Sequence, residues 1–131
     1  MDPKEDQDYA DIEDLLASSE DEVERGTVQV QAELDRNRVH LNWCRTRLAR
    51  LRGQRRRASA NLHLELARLI TAQFQGYPEG YIYLTARFVE LWRGRVVRLL
   101  ADIQRVEDWL QEAMNKERAL TLELAQLSGN S

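Results

Sequence analysis

The stretch that decides the fold is residues 85–127, TARFVELWRGRVVRLLADIQRVEDWLQEAMNKERALTLELAQL. Its apolar residues recur in alternating steps of three and four, the 3.5-residue period of a helix that buries one seam. Val89, Val96, Ile103, Leu110, Glu117 and Leu124 fall at heptad position a; Trp92, Leu99, Val106, Ala113, Leu120 and Leu127 fall at d. Eleven of these twelve are apolar, a run no period-two strand would produce. The stretch predicts one helix of about 64 Å, at 1.5 Å per residue, with Gly129 as its stop. Glu117, the charged exception, is expected to set register or to meet a partner across the interface.

Upstream, Gly76, Pro78 and Gly80 lie within five residues and predict a connection over 75–84. Tyr77, Tyr81 and Tyr83 flank them and are expected to cap the end of the structure. Before that, residues 28–74 repeat the helical pattern. Leu34, Leu41, Leu48, Arg55, Leu62 and Leu69 take position a; Val30, Asn37, Cys44, Leu51, Ala58 and Glu65 take d. Gly53 costs about 1 kcal/mol relative to alanine in a helix interior. With Arg55 on the seam beside it, a kink or break near 53–57 is expected. Two long helices and a short connection predict an all-α fold, an antiparallel helical hairpin with coiled-coil-like seams. A hairpin alone buries little, so the 85–127 seam is expected to pair with copies of itself in a helical oligomer.

Charge divides the chain differently. Residues 1–25 carry eleven acidic and two basic side chains; residues 26–131 carry seventeen basic and eleven acidic. The net of −3 conceals −9 against +6. Such an acidic segment with few apolar groups predicts a largely disordered arm. Within it Ile12, Leu15 and Leu16 sit at helical spacing, the pattern of a short docking helix. Ser18 and Ser19, with Glu22 three residues after Ser19, are candidate helix caps. The domain itself is expected to span 26–131.

Between Asp35 and Glu65 there is no acidic residue, yet nine arginines occur: Arg36, Arg38, Arg45, Arg47, Arg50, Arg52, Arg55, Arg56 and Arg57. Arg36, Trp43, Arg50 and Arg57 share position c, one stripe directed away from the seam; Arg38, Arg45 and Arg52 form a second at e. Arginine binds phosphate and carboxylate through a planar fork. An exposed indole inside an arginine stripe suits single-stranded nucleic acid, with guanidinium groups on phosphates and a base stacked on the ring. An acidic protein surface, the acidic arm itself or plain solvation of the stripe are the other readings.

No catalytic chemistry stands out. His40 and Cys44 share a face but lack further ligands, so no metal or cofactor is expected. No phosphate loop, nucleophile elbow or zinc-protease motif is present. Glu107, Asp108 and Glu112 are the carboxylates of a solvated helix face. A non-enzyme without a small-molecule substrate is expected. The lone Cys44 rules out an internal disulfide and, with no apolar run of about 20 residues and an acidic first segment unlike a leader, predicts a cytoplasmic protein away from membranes.

Residues 30–127 resemble the UvsY-type recombination mediators of tailed phages. The corresponding pieces are the Arg45–Arg57 run, the Gly76–Tyr83 connection, and Leu110 to Leu120 with Glu112, Arg118 and Ala119. The resemblance implies ring-like oligomers that bind single-stranded DNA and help load a recombinase. It would place DNA contact at Arg45–Arg57 and assembly on the 85–127 helix. The chain departs from that pattern in its arginine-dominated basic residues and its acidic arm. Helical stalk proteins of export apparatus and phage structural adaptors share the periodicity, which keeps a structural or adaptor role open.

Overall fold

The computed structural model describes residues 25–129. Two helices, α1 (Thr27–Gln75, 49 residues) and α2 (Glu79–Gly129, 51 residues), pack as an all-α hairpin. The arm anchors Ile12, Leu15 and Leu16 and the candidate caps Ser18 and Ser19 lie outside the described residues.

Each end of α1 is closed by its own chemistry. Gly26 precedes the helix and its carbonyl accepts the Val30 N–H at 3.1 Å. The Gly26 N–H donates to the Gln29 side chain at 2.9 Å, half of a capping box built three residues into the helix. At the far end Gly76 takes φ +68°. The Tyr77 N–H donates to the Ala72 carbonyl at 2.9 Å and the Gly76 N–H to the Gln73 carbonyl at 3.4 Å. These two bonds define a Schellman ending, which needs a residue that tolerates left-handed backbone.

The connection is therefore Gly76–Tyr77–Pro78, not 75–84. Pro78 starts α2: its carbonyl accepts the N–H groups of Tyr81 (3.0 Å) and Ile82 (3.1 Å). Gly80 sits inside the first turn. A glycine there costs only part of its helix-interior penalty, because this turn has few intrahelical bonds to lose. The break expected near Gly53 is also absent, since α1 runs unbroken through it. The seam residues on either side, Leu48, Leu51 and Ala58, are buried, and their burial outweighs one glycine's cost of about 1 kcal/mol. Arg55 is half-buried on the seam, a position that a side chain with a long apolar stem and a charged head tolerates.

The hairpin divides into two compact units, 25–42 with 111–129 and 43–110. In the first, Val30, Leu34 and Leu120 form the core, with Leu124 and Leu127 packed against it. Asn37, 1% exposed, donates through its amide to the Ala113 carbonyl at 2.8 Å. Glu117 finds its partner within the same chain, an ion pair with Arg38 at 3.3 Å. Arg25 belongs to this unit rather than to the arm: its guanidinium bridges Glu33 and Glu123, meeting the latter at 2.6 and 3.1 Å. The hydrogen bond to Glu123, with help from Glu33, raises the Arg25 pKa above its ordinary value.

In the second unit Cys44, Leu48, Leu51, Ala58 and Ala72 from α1 and Val89, Leu99, Ile103 and Val106 from α2 are buried. Trp92, Val96 and Leu110 are half-buried on the same seam. Thr85 is buried too, its hydroxyl donating to the Tyr81 carbonyl at 2.9 Å. The seam is thus filled within one chain in both units, which gives it a use other than the expected pairing between copies.

Candidate nucleic-acid interface

Charge separates the two units sharply. The unit formed by 43–110 holds thirteen arginines and six carboxylates, net +7. The described part of the other holds five basic and five acidic groups. The positive charge of the domain is therefore gathered in one place.

Trp43 gives that charge a direction. Its ring packs on Trp109, with centroids 6.1 Å apart and planes tilted by 38°. The ring is half-buried, unlike the outward-facing indole the heptad frame predicts. Position c lies about 100° around the helix from seam position d, near enough for a large ring to fold over the flank. The contact joins the g/c side of α1 to the g/c side of α2, where Trp109 sits at g. Arg50 and Arg57 on α1, and Arg98 and Arg105 on α2, occupy c positions of this unit and share that side. All four are exposed. Within each pair the spacing is seven residues, about 10.5 Å along the helix. Asp102, half-buried, is the carboxylate between Arg98 and Arg105.

The other arginines of the run are distributed around α1. Arg45, Arg52 and Arg56 are exposed on its other flank and back; Arg47 and Arg55 are half-buried. Arg52 pairs with Glu107 at 3.5 Å, a bond between exposed groups worth little in water. It is the one arginine of 45–57 paired with a carboxylate among the described residues. Arg36 lies in the other unit, half-buried, so it does not join this cluster. The Nε atoms of Arg36 and Arg47 are buried and make no hydrogen bond among the described residues.

Arg98 and Arg105 lie outside the acid-free run between Asp35 and Glu65, so the arginine clustering of α1 does not point to them. The signal was present in Arg93-Gly94-Arg95-Val96-Val97-Arg98, whose last arginine shares heptad position c with Arg105. Cys44 is fully buried and desolvation pushes its thiol pKa up to about 11, so it is a packing residue rather than a nucleophile. Among the described residues no group of three or more His, Cys, Asp or Glu is placed to hold a metal ion, and no helix is long and apolar enough to cross a membrane.

Such an arrangement can attract an anionic polymer and grip it through regularly spaced forks. Comparison with known proteins finds no matching family model, no similar curated protein and no similar solved structure.

Proposed function

We propose that this chain is a non-enzymatic nucleic-acid-binding protein whose 43–110 unit holds the phosphate backbone. The observation that carries the proposal is the gathering of net +7 in that unit, with Arg50, Arg57, Arg98 and Arg105 exposed on one side. Phosphate neutralisation by arginine releases counterions and supplies affinity without base contacts. The Trp43–Trp109 pair borders the same side, which supports a preference for unpaired strands that can lay a base on an aromatic edge. Assisting a recombinase on single-stranded DNA is the narrower form of the proposal, supported by the layout shared with the UvsY-type mediators.

The test is anisotropy of labelled single-stranded DNA, duplex DNA and RNA. Replacing Arg98 and Arg105 by alanine should weaken binding by about tenfold or more, whereas Arg118→Ala in the neutral unit should change little. Equal affinity of the parent and the Arg98/Arg105 variant refutes the proposal.

One observation favours a second reading, a structural or adaptor protein. The 43–110 unit exposes eleven of the fourteen large apolar side chains that lie on the described surface. Apolar surface on that scale marks protein contacts.

A further inference from the structure

The exposed apolar residues near the turn are not scattered. On α2, Tyr81, Leu84, Phe88 and Leu91 are 45%, 52%, 42% and 62% exposed. Their steps of three, four and three continue the coiled-coil period. Tyr77 extends the row at one end: its ring meets Tyr81 edge-on, centroids 5.3 Å apart and planes at 70°. Arg95, exposed, continues it at the other. At 100° per residue this row points about 90° away from the buried seam. It is a second seam on the same helix, at the angle a bundle uses for its next neighbour.

We infer that this face binds a second copy of the chain, α2 packing antiparallel on α2 about a two-fold axis level with Ala86. The pattern is self-complementary under that operation, which an isologous interface requires. Leu84 then lies opposite Phe88 of the other copy, and Tyr81 opposite Leu91. The one cation of the row, Arg95, lies opposite the aromatic end, Tyr77. An arginine over a tyrosine ring is attractive where it is partly desolvated, so charge and aromatic ends match instead of repelling. Arg87, on the border of the face, is already paired with Glu90 at 3.1 Å, which removes an unmatched charge near the axis.

The size of the face sets the strength. Five half-exposed large side chains cover roughly 500 Å² per chain, hence about 1,000 Å² in the pair. That lies at the low end of specific interfaces and gives a reversible dimer in the micromolar range. Beyond Arg95 each α2 runs past the other copy's turn. Arg98 and Arg105 stay uncovered, so dimerisation presents two basic sides to one nucleic acid.

Light scattering of the full chain over a rising concentration series tests the inference. The mass should climb from 15.3 kDa towards twice that value. Phe88→Glu and Leu84→Glu, both at exposed positions, should each weaken self-association by about a hundredfold while circular dichroism stays helical. Leu122→Glu, equally exposed on the other unit, should leave the mass curve unchanged. A parent that remains at 15.3 kDa at the highest concentration overturns the inference, and so does a dimer that both variants retain. A monomer in which Phe88→Glu instead lowers oligonucleotide affinity assigns the face to nucleic acid and also overturns it. The mass readout is independent of nucleic-acid binding, so either proposal can fail alone.

Discussion

Asn37 is the polar residue at the heart of one unit, and replacing it gives opposite signs for two substitutions. Its side chain is 1% exposed and its one bond to the other helix runs to the Ala113 carbonyl at 2.8 Å. That carbonyl lies within α2, where it also serves the N–H four residues on, so removing the amide leaves no orphaned acceptor. The bond is then worth a net of about 1 kcal/mol. Asn37→Ala loses it and opens a gap in the seam, for a total loss of about 1–3 kcal/mol. Asn37→Leu loses the same bond but buries an apolar side chain worth about 1.5–3 kcal/mol, so it should equal or exceed the parent in stability. The two variants should differ by about 2–4 kcal/mol. With a urea dependence of roughly 1–3 kcal/mol per molar for a domain of this size, their midpoints should separate by about 0.7 M or more. Urea unfolding followed by far-ultraviolet circular dichroism reads the difference. An Asn37→Leu protein that falls as far as Asn37→Ala would refute the reasoning, because the amide would then supply something burial cannot replace. The natural asparagine is understood as a device that fixes register at some cost in stability.

Two further predictions follow from local geometry. Gly76→Ala should lose about 1–2 kcal/mol, since φ +68° is left-handed backbone; Gly80→Ala, in the first helical turn with open space around a new Cβ, should gain about 0.5 kcal/mol. Thermal unfolding of both decides this, and equal shifts would contradict it. Cys44 should resist thiol reagents until the protein unfolds. Because its folded pKa is raised to about 11 from 9.0, its contribution is intact below pH about 9 and is lost as pH rises through 11. Cys44→Ala should flatten that part of the stability–pH curve, and an unchanged slope would count against it.

The hairpin was legible because one physical signal, apolar residues every 3.5 positions, runs through both helices. It named Val89, Leu99, Ile103, Val106 and Leu120 as interior residues, and all five are buried. The ends were less legible. Gly76, Pro78 and Gly80 look alike as helix breakers, yet only Gly76 takes a positive φ. The difference arises because Pro78 can open a helix and Gly80 then lies in its first turn. Gly53 misled in the same way, since tertiary burial overrode a local propensity. Glu117 announced a partner but not its identity, because Arg38 reaches it only once the helices are folded side by side. In the candidate interface, the α1 arginines were visible as a run. The α2 arginines were present in the 93–105 pattern, but that they share a side with Arg50 and Arg57 shows only through the contact of Trp43 with Trp109.

The most direct measurement of the central claim is the salt dependence of nucleic-acid affinity. Four arginines on four phosphates of a single strand give a logarithmic slope of about −2.8, so affinity should fall by about fiftyfold from 50 to 200 mM salt. Removing Arg50 and Arg57 should halve the slope and reduce the fall to about sevenfold. A parent whose affinity does not respond to salt, or a variant with the parent's slope, would contradict a phosphate grip by this side of the 43–110 unit.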